Sequence, residues 1–142
     1  MKNKILNTIE APTLIPRLIV GLVFLSEGLQ KFITPDTSGA ARFAKIGFEH
    51  PEFWASFTGG FEIICGILVL IGLITRIASI PLLIIMLVAF ITTKYPILLD
   101  KGFLAMAHEY RTDFAMTLLL LFLIYYGGGN KSLDKKLFNH AP

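Results

Sequence analysis

The chain has 142 residues, enough for one domain and hardly two, and 54% of them are hydrophobic against 16% charged. Ordinary soluble domains carry about 45–50% apolar and about 25% charged residues, so a water-soluble fold of this size would lack the polar surface to cover itself. Thirteen Lys and Arg against ten Asp and Glu leave a net charge of +3. The cations stand mostly at the ends of apolar runs, with no basic stripe and interleaved aromatics, which excludes nucleic acid as a partner and makes them anchors at a lipid bilayer interface.

Lys2 and Lys4 precede an apolar run in the manner of a signal peptide, but Arg17, Glu27 and Lys31 interrupt it and no small-x-small cleavage site follows. The run is expected to be a retained membrane span over about residues 12–32, with Pro12 and Pro16 near its start, where proline is tolerated. Thr34-Pro35-Asp36-Thr37-Ser38 then offers a turn and a helix cap. The segment Ala40 to Ile46, closed by Gly47, reads as a short interfacial helix with Phe43 and Ile46 toward lipid. A second span is expected over about 53–73, and a third over about 77–94, ending at Lys94-Tyr95-Pro96. So short a connection around Thr75-Arg76 forces these two into an antiparallel pair. The partly apolar stretch from Lys94 to His108 is expected to pack over the end of the bundle. The fourth span covers about 111–126 and stops at Gly127-Gly128-Gly129.

The expected fold is therefore all-α: one domain over residues 1–142, a membrane-embedded antiparallel four-helix bundle with two longer loops on one side. The loop-side and termini-side cations tie in number, so their count leaves the orientation open. The acids gather in the long loops, and the termini are expected to be cytoplasmic.

Charges held in hydrocarbon mark the place to look for function, because each costs about 2.5–3.5 kcal/mol unless it meets a partner or a cavity. On the first span Arg17, Gly21, Phe24, Gly28 and Lys31 form one helical stripe, and Glu27 stands four residues before Lys31. Glu62 and Gly66 begin a comparable stripe on the second span. Gly21, Gly28 and Gly66 are expected to let helices approach closely. Lys94 ends the third span and His108, Glu109, Arg111 and Asp113 open the fourth, so every span sends an ionisable group toward the loop side. The candidate binding or buried-charge residues are Glu27, Lys31, Glu62, Lys94, His108, Arg111 and Asp113, with Glu62 the hardest to dismiss as a surface anchor. His108, Glu109 and Asp113 do not have the spacing of a familiar zinc site, so no metal is expected. Cys65 is the lone cysteine, and there is no haem-binding pair of histidines within the spans, no dinucleotide fingerprint and no nucleophile elbow.

Arg17-x3-Gly21-x2-Phe24-x3-Gly28-x2-Lys31, Glu62-x3-Gly66, Gly72-Leu73-x-Thr75-Arg76, Arg111-Thr112-Asp113-Phe114-Ala115-Met116 and the tail Gly127-Gly128-Gly129-Asn130-Lys131-Ser132-Leu133-Asp134 occur in that order. Together they resemble the DoxX family of small bacterial four-span membrane proteins over nearly the whole chain. The resemblance implies a four-helix bundle in the bacterial inner membrane, and the family name is tied to the small subunit of a thiosulfate:quinone oxidoreductase. Relatives with thiol redox chemistry of their own carry cysteine pairs, which this chain lacks, so it is not expected to be an autonomous redox enzyme. Three roles stay open: a subunit binding a quinone or similar small molecule for a redox partner protein, a small-ion or solute transporter acting as a homo-oligomer, and an assembly protein whose charges only hold the bundle together.

Overall fold

Helix α1 (Leu14–Ile33) ends at Thr34, whose backbone N–H and hydroxyl both donate to the Gln30 carbonyl. The structure, a computed structural model, describes residues 12–138. Helix α2 (Ala40–Ile46) stops at Gly47, whose φ of 97° lies in the left-handed region where glycine alone is comfortable. Helix α3 (Pro51–Ile71) opens with proline in its first turn and Glu52 beside it, and closes at Gly72. After Gly72-Leu73-Ile74 the chain turns back into α4 (Thr75–Ala89). A π-helical turn (Phe90–Lys94) leads directly into α5 (Tyr95–Lys101). Gly102 separates α5 from α6 (Phe103–Tyr126), which ends at Gly127, and a short α7 (Leu133–Phe138) follows. Among the described residues there is no strand, and the fold is all-α.

Two boundaries differ from the sequence reading. The third helical run does not stop at Lys94-Tyr95-Pro96, and the stretch before Arg111 is helix instead of loop. Pro96 has no N–H to return to the carbonyl four residues back, which would break an α-helix. Here the π turn shifts the pattern, the Tyr95 N–H bonds the Phe90 carbonyl, and proline falls in the first turn of α5, where it is tolerated. Gly102 likewise marks a break between two helices.

The long helices are held by two kinds of packing. Helices α1 and α3 run antiparallel at backbone contact: a Cβ on Gly28 would lie 2.8 Å from the Gly59 carbonyl oxygen, and one on Gly66 would lie 3.1 Å from that of Gly21. Seven residues along α1 are matched by seven back along α3, so the glycines form a seam. Beside it, Val20 and Phe24 of α1, Cys65 and Val69 of α3, Ala78, Leu82 and Met86 of α4, and Met116, Leu120 and Leu123 of α6 share one apolar core. The outer faces stay apolar, with Leu22, Ile64, Ile84 and Leu118 all exposed. Among the described residues two helical runs, Pro51–Ile71 and Thr75–Lys101, are long and apolar enough to cross a membrane.

Candidate functional site

The polar groups gather at two ends of the molecule. At the end where α3 turns into α4, Arg17 is buried and satisfied entirely by backbone. Its guanidinium donates to the carbonyls of Val69 (3.0 Å), Leu70 (2.7 Å), Gly128 (3.0 Å) and Lys131 (2.7 Å). Two of these are last-turn carbonyls of α3, which carry the negative end of the helix dipole. Asp134 completes the clasp: its carboxylate accepts from the N–H groups of Ile74 (2.5 Å) and Thr75 (3.0 Å) at the start of α4. That hold accounts for Ile74 sitting at a φ of 45°, which is costly for a β-branched residue. The glycine-rich tail is thereby folded onto the α3–α4 turn.

At the opposite end the helices part around a cavity of about 530 Å³. Its charged wall carries Glu27, Lys31, Glu62, Asp113 and Arg42, and its aromatic wall carries Phe24, Phe43, Phe48, Trp54 and Phe57. Lys31 Nζ donates to Glu62 Oε2 at 2.6 Å, with both side chains at least nine-tenths buried. Lys94 pairs with Asp113 at 3.6 Å across the π turn and α6. Thr92 and Thr93 also line the cavity, their hydroxyls donating back to the carbonyls of Val88 and Ala89.

The structure thus divides the sequence candidates. It brings Glu27, Lys31, Glu62 and Asp113 to one cavity, with Lys94 behind Asp113. Lys31 reaches across to α3 for its ion pair; only its contact with the Glu27 backbone carbonyl, at 3.4 Å, stays on α1. His108 and Arg111 stand exposed outside it and hydrogen-bond each other at 3.2 Å. The sequence reading missed Arg42, and it turned Phe43 and Ile46 of α2 toward lipid where the structure turns them into the cavity. The signal was present as an aromatic succession, since Phe43 packs edge-on against Phe48 and Phe48 against Trp54.

A helical membrane chain with a clasped end and a charged, aromatic-walled cavity at the other is the class of protein that fold and site define. Residues 13–95 match the DoxX family, and the chain belongs to it. It is similar to the uncharacterized membrane protein Rv3486 of Mycobacterium tuberculosis (strain ATCC 25618 / H37Rv), 50% identical over 88% of this chain and 80% of that one. It is also similar to a Bacillus subtilis (strain 168) protein named "Putative oxidoreductase CatD", 32% identical over 93% of this chain and 91% of that one. No solved structure matches it significantly.

Proposed function

We propose that this chain is a membrane subunit that holds a ring-headed small molecule, a quinone or a close analogue, in the loop-side cavity on behalf of a redox partner protein. The observation that carries the reading is the buried Lys31–Glu62 pair set in the wall of an aromatic cavity of about 530 Å³. Ligand sites of this kind run to about 300–1,000 Å³ and combine apolar walls with a few convergent polar groups. The lining fits a quinone: Phe24, Trp54 and Phe57 offer ring faces, and Lys31 and Arg42 offer donors for carbonyl oxygens. Glu27 and Glu62 can hold or release a proton beside such a ligand. A bound quinone would supply the two-electron, two-proton carrier capacity, and the partner the electrons. The relative named as an oxidoreductase supports a redox setting.

The same reading takes residues 1–142 as one four-span domain in the bacterial inner membrane, with both termini cytoplasmic. A transport path is disfavoured because the apolar core of Phe24, Cys65, Leu82, Met86 and Leu120 lies between the cavity and the Arg17 clasp. The test is native mass spectrometry with extracted-lipid analysis on wild type, Glu62→Gln and the cavity-filling Ala89→Phe. Retention of a quinone-sized ligand by wild type, with loss from a folded Ala89→Phe variant, supports the site. No ligand in any of them, with Glu62→Gln less heat-stable, means the charges only hold the bundle together.

A further inference from the structure

Glu62 and Ile84 are equidistant in sequence from Leu73 in the α3–α4 turn, as are Thr58 and Val88, and Trp54 and Thr92. On two antiparallel helices of equal rise, equidistant residues stand at matching depth. All six line the cavity. Helices α3 and α4 are therefore joined near their turn, where Cys65, Val69, Ala78 and Leu82 share the core, and parted by the cavity above it.

Five apolar lining side chains are also open to the outside: Ile84 is 56% exposed, Phe57 48%, Val88 43%, Trp54 38% and, on α1, Val23 36%. Four of the five stand at the cavity's edge on α3 and α4, two on each helix. Both helices belong to runs long and apolar enough to cross a membrane, so that edge faces hydrocarbon. The aromatic wall continues past it, with Phe57 stacked on Phe53 at 5.8 Å and tilted against Phe61 at 5.0 Å. On the water side the cavity is covered instead by α2 and its neighbour, through Arg42, Phe43, Ile46 and Phe48.

The geometry points to a lateral slot between α3 and α4 through which the ligand passes from the bilayer, its ring head against Lys31–Glu62 and a hydrocarbon tail left in the slot. The ligand class is then a tailed amphiphile in place of a free water-soluble ring. This inference rests on the ligand-binding role proposed above for the same cavity.

Trp54 is the sole tryptophan and lines the cavity, so saturable quenching of its fluorescence, above the non-saturable collisional quenching by probe dissolved in the bilayer, reports occupancy. The probes are a methyl-substituted and a decyl-substituted benzoquinone, titrated into wild type, Ile84→Phe and Val88→Phe in lipid nanodiscs. We expect both probes to quench wild type. Each phenylalanine should weaken the decyl probe on the order of tenfold more than the methyl probe, as a bulky group does in space that a bound tail needs. Saturable quenching by both probes, with no selective effect on the decyl one, overturns the slot and spares the cavity. If neither probe quenches wild-type Trp54 saturably, the cavity reading fails and the slot with it.

Discussion

Lys31 and Glu62 meet because long side chains on a helix lean toward its N-terminus: Lys31 reaches deeper along α1 while Glu62 on antiparallel α3 reaches toward the loops. Removing one partner of such a buried pair strands the other charge, whereas replacing both with apolar groups removes the desolvation problem altogether. Glu62→Gln should therefore lower stability by about 3–5 kcal/mol, and Lys31→Met with Glu62→Leu should recover most of that loss. Unfolding in mild detergent reads both, and equal destabilisation by the single and double variants would contradict the account. Arg17 is a different kind of charge. Its planar fork serves four carbonyls at once, from both the end of α3 and the tail. A lysine keeps the charge but cannot reproduce that geometry. With charge-assisted hydrogen bonds at about 1.5–3 kcal/mol each, Arg17→Lys should cost about 3 kcal/mol or more. A melting temperature within a degree or so of wild type would show that the clasp is ornamental.

Among the elements, the α1–α3 seam is the tightest joint, since its contacts are backbone to backbone. A methyl group on Gly28 meets the Gly59 carbonyl, Ile63 and Glu62 Cβ, all within 3.0 Å, and none of them is the loose end of a flexible chain. Gly28→Ala should push the helices apart and cost about 1–3 kcal/mol. On the same α3, a Cβ at Gly60 meets nothing within 4 Å, so Gly60→Ala should be neutral or stabilising by about 0.5–1 kcal/mol. Parallel thermal unfolding of the two variants checks this, and a similar loss in both would remove the seam as the cause. The glycine stripe, the helix closed by Gly47 and the stop at Gly127 were legible because each is a local pattern with a local cause. The helix carried through Pro96 was not, since its π turn rescues a residue that ordinarily ends helices. Nor was the Lys31–Glu62 pairing, because the nearer acid in sequence is Glu27 and only packing brings Glu62 within reach. Arg42 was hidden for the same reason: nothing in seven residues says which face of α2 the rest of the chain will cover.

At the scale of the whole molecule, the two ends have opposite characters. One is closed by Arg17, Asp134 and the α3–α4 turn; the other is propped open above a core that stops near Phe24, Met86 and Met116. Among the described residues, only α3 and the α4–α5 run are long and apolar enough on composition alone, because α1 carries Arg17, Glu27 and Lys31 and α6 carries Glu109, Arg111 and Asp113. Yet Arg17 and Lys31 are satisfied inside the bundle, and α1 and α6 turn Ile15, Leu18, Leu22, Phe114, Leu118 and Leu121 outward. On α1 the inward-facing Arg17 and Lys31 add little to the cost of lipid on the outside, and the exposed Glu109 and Arg111 lie in the first half of α6, toward the loop side, which is why all four long helices should span. Cysteines placed at Asp36, Lys101, Leu73 and Asn130 separate the possibilities, the native Cys65 being buried. With four spans, a membrane-impermeant maleimide should label positions 36 and 101 from one side and 73 and 130 from the other. With α3 and the α4–α5 run alone crossing, 130 would join 36 and 101 and leave 73 by itself. The side on which 130 labels therefore decides whether the charged helices are membrane spans, and labelling of 130 from inverted vesicles alone would also fix the C-terminal end as cytoplasmic.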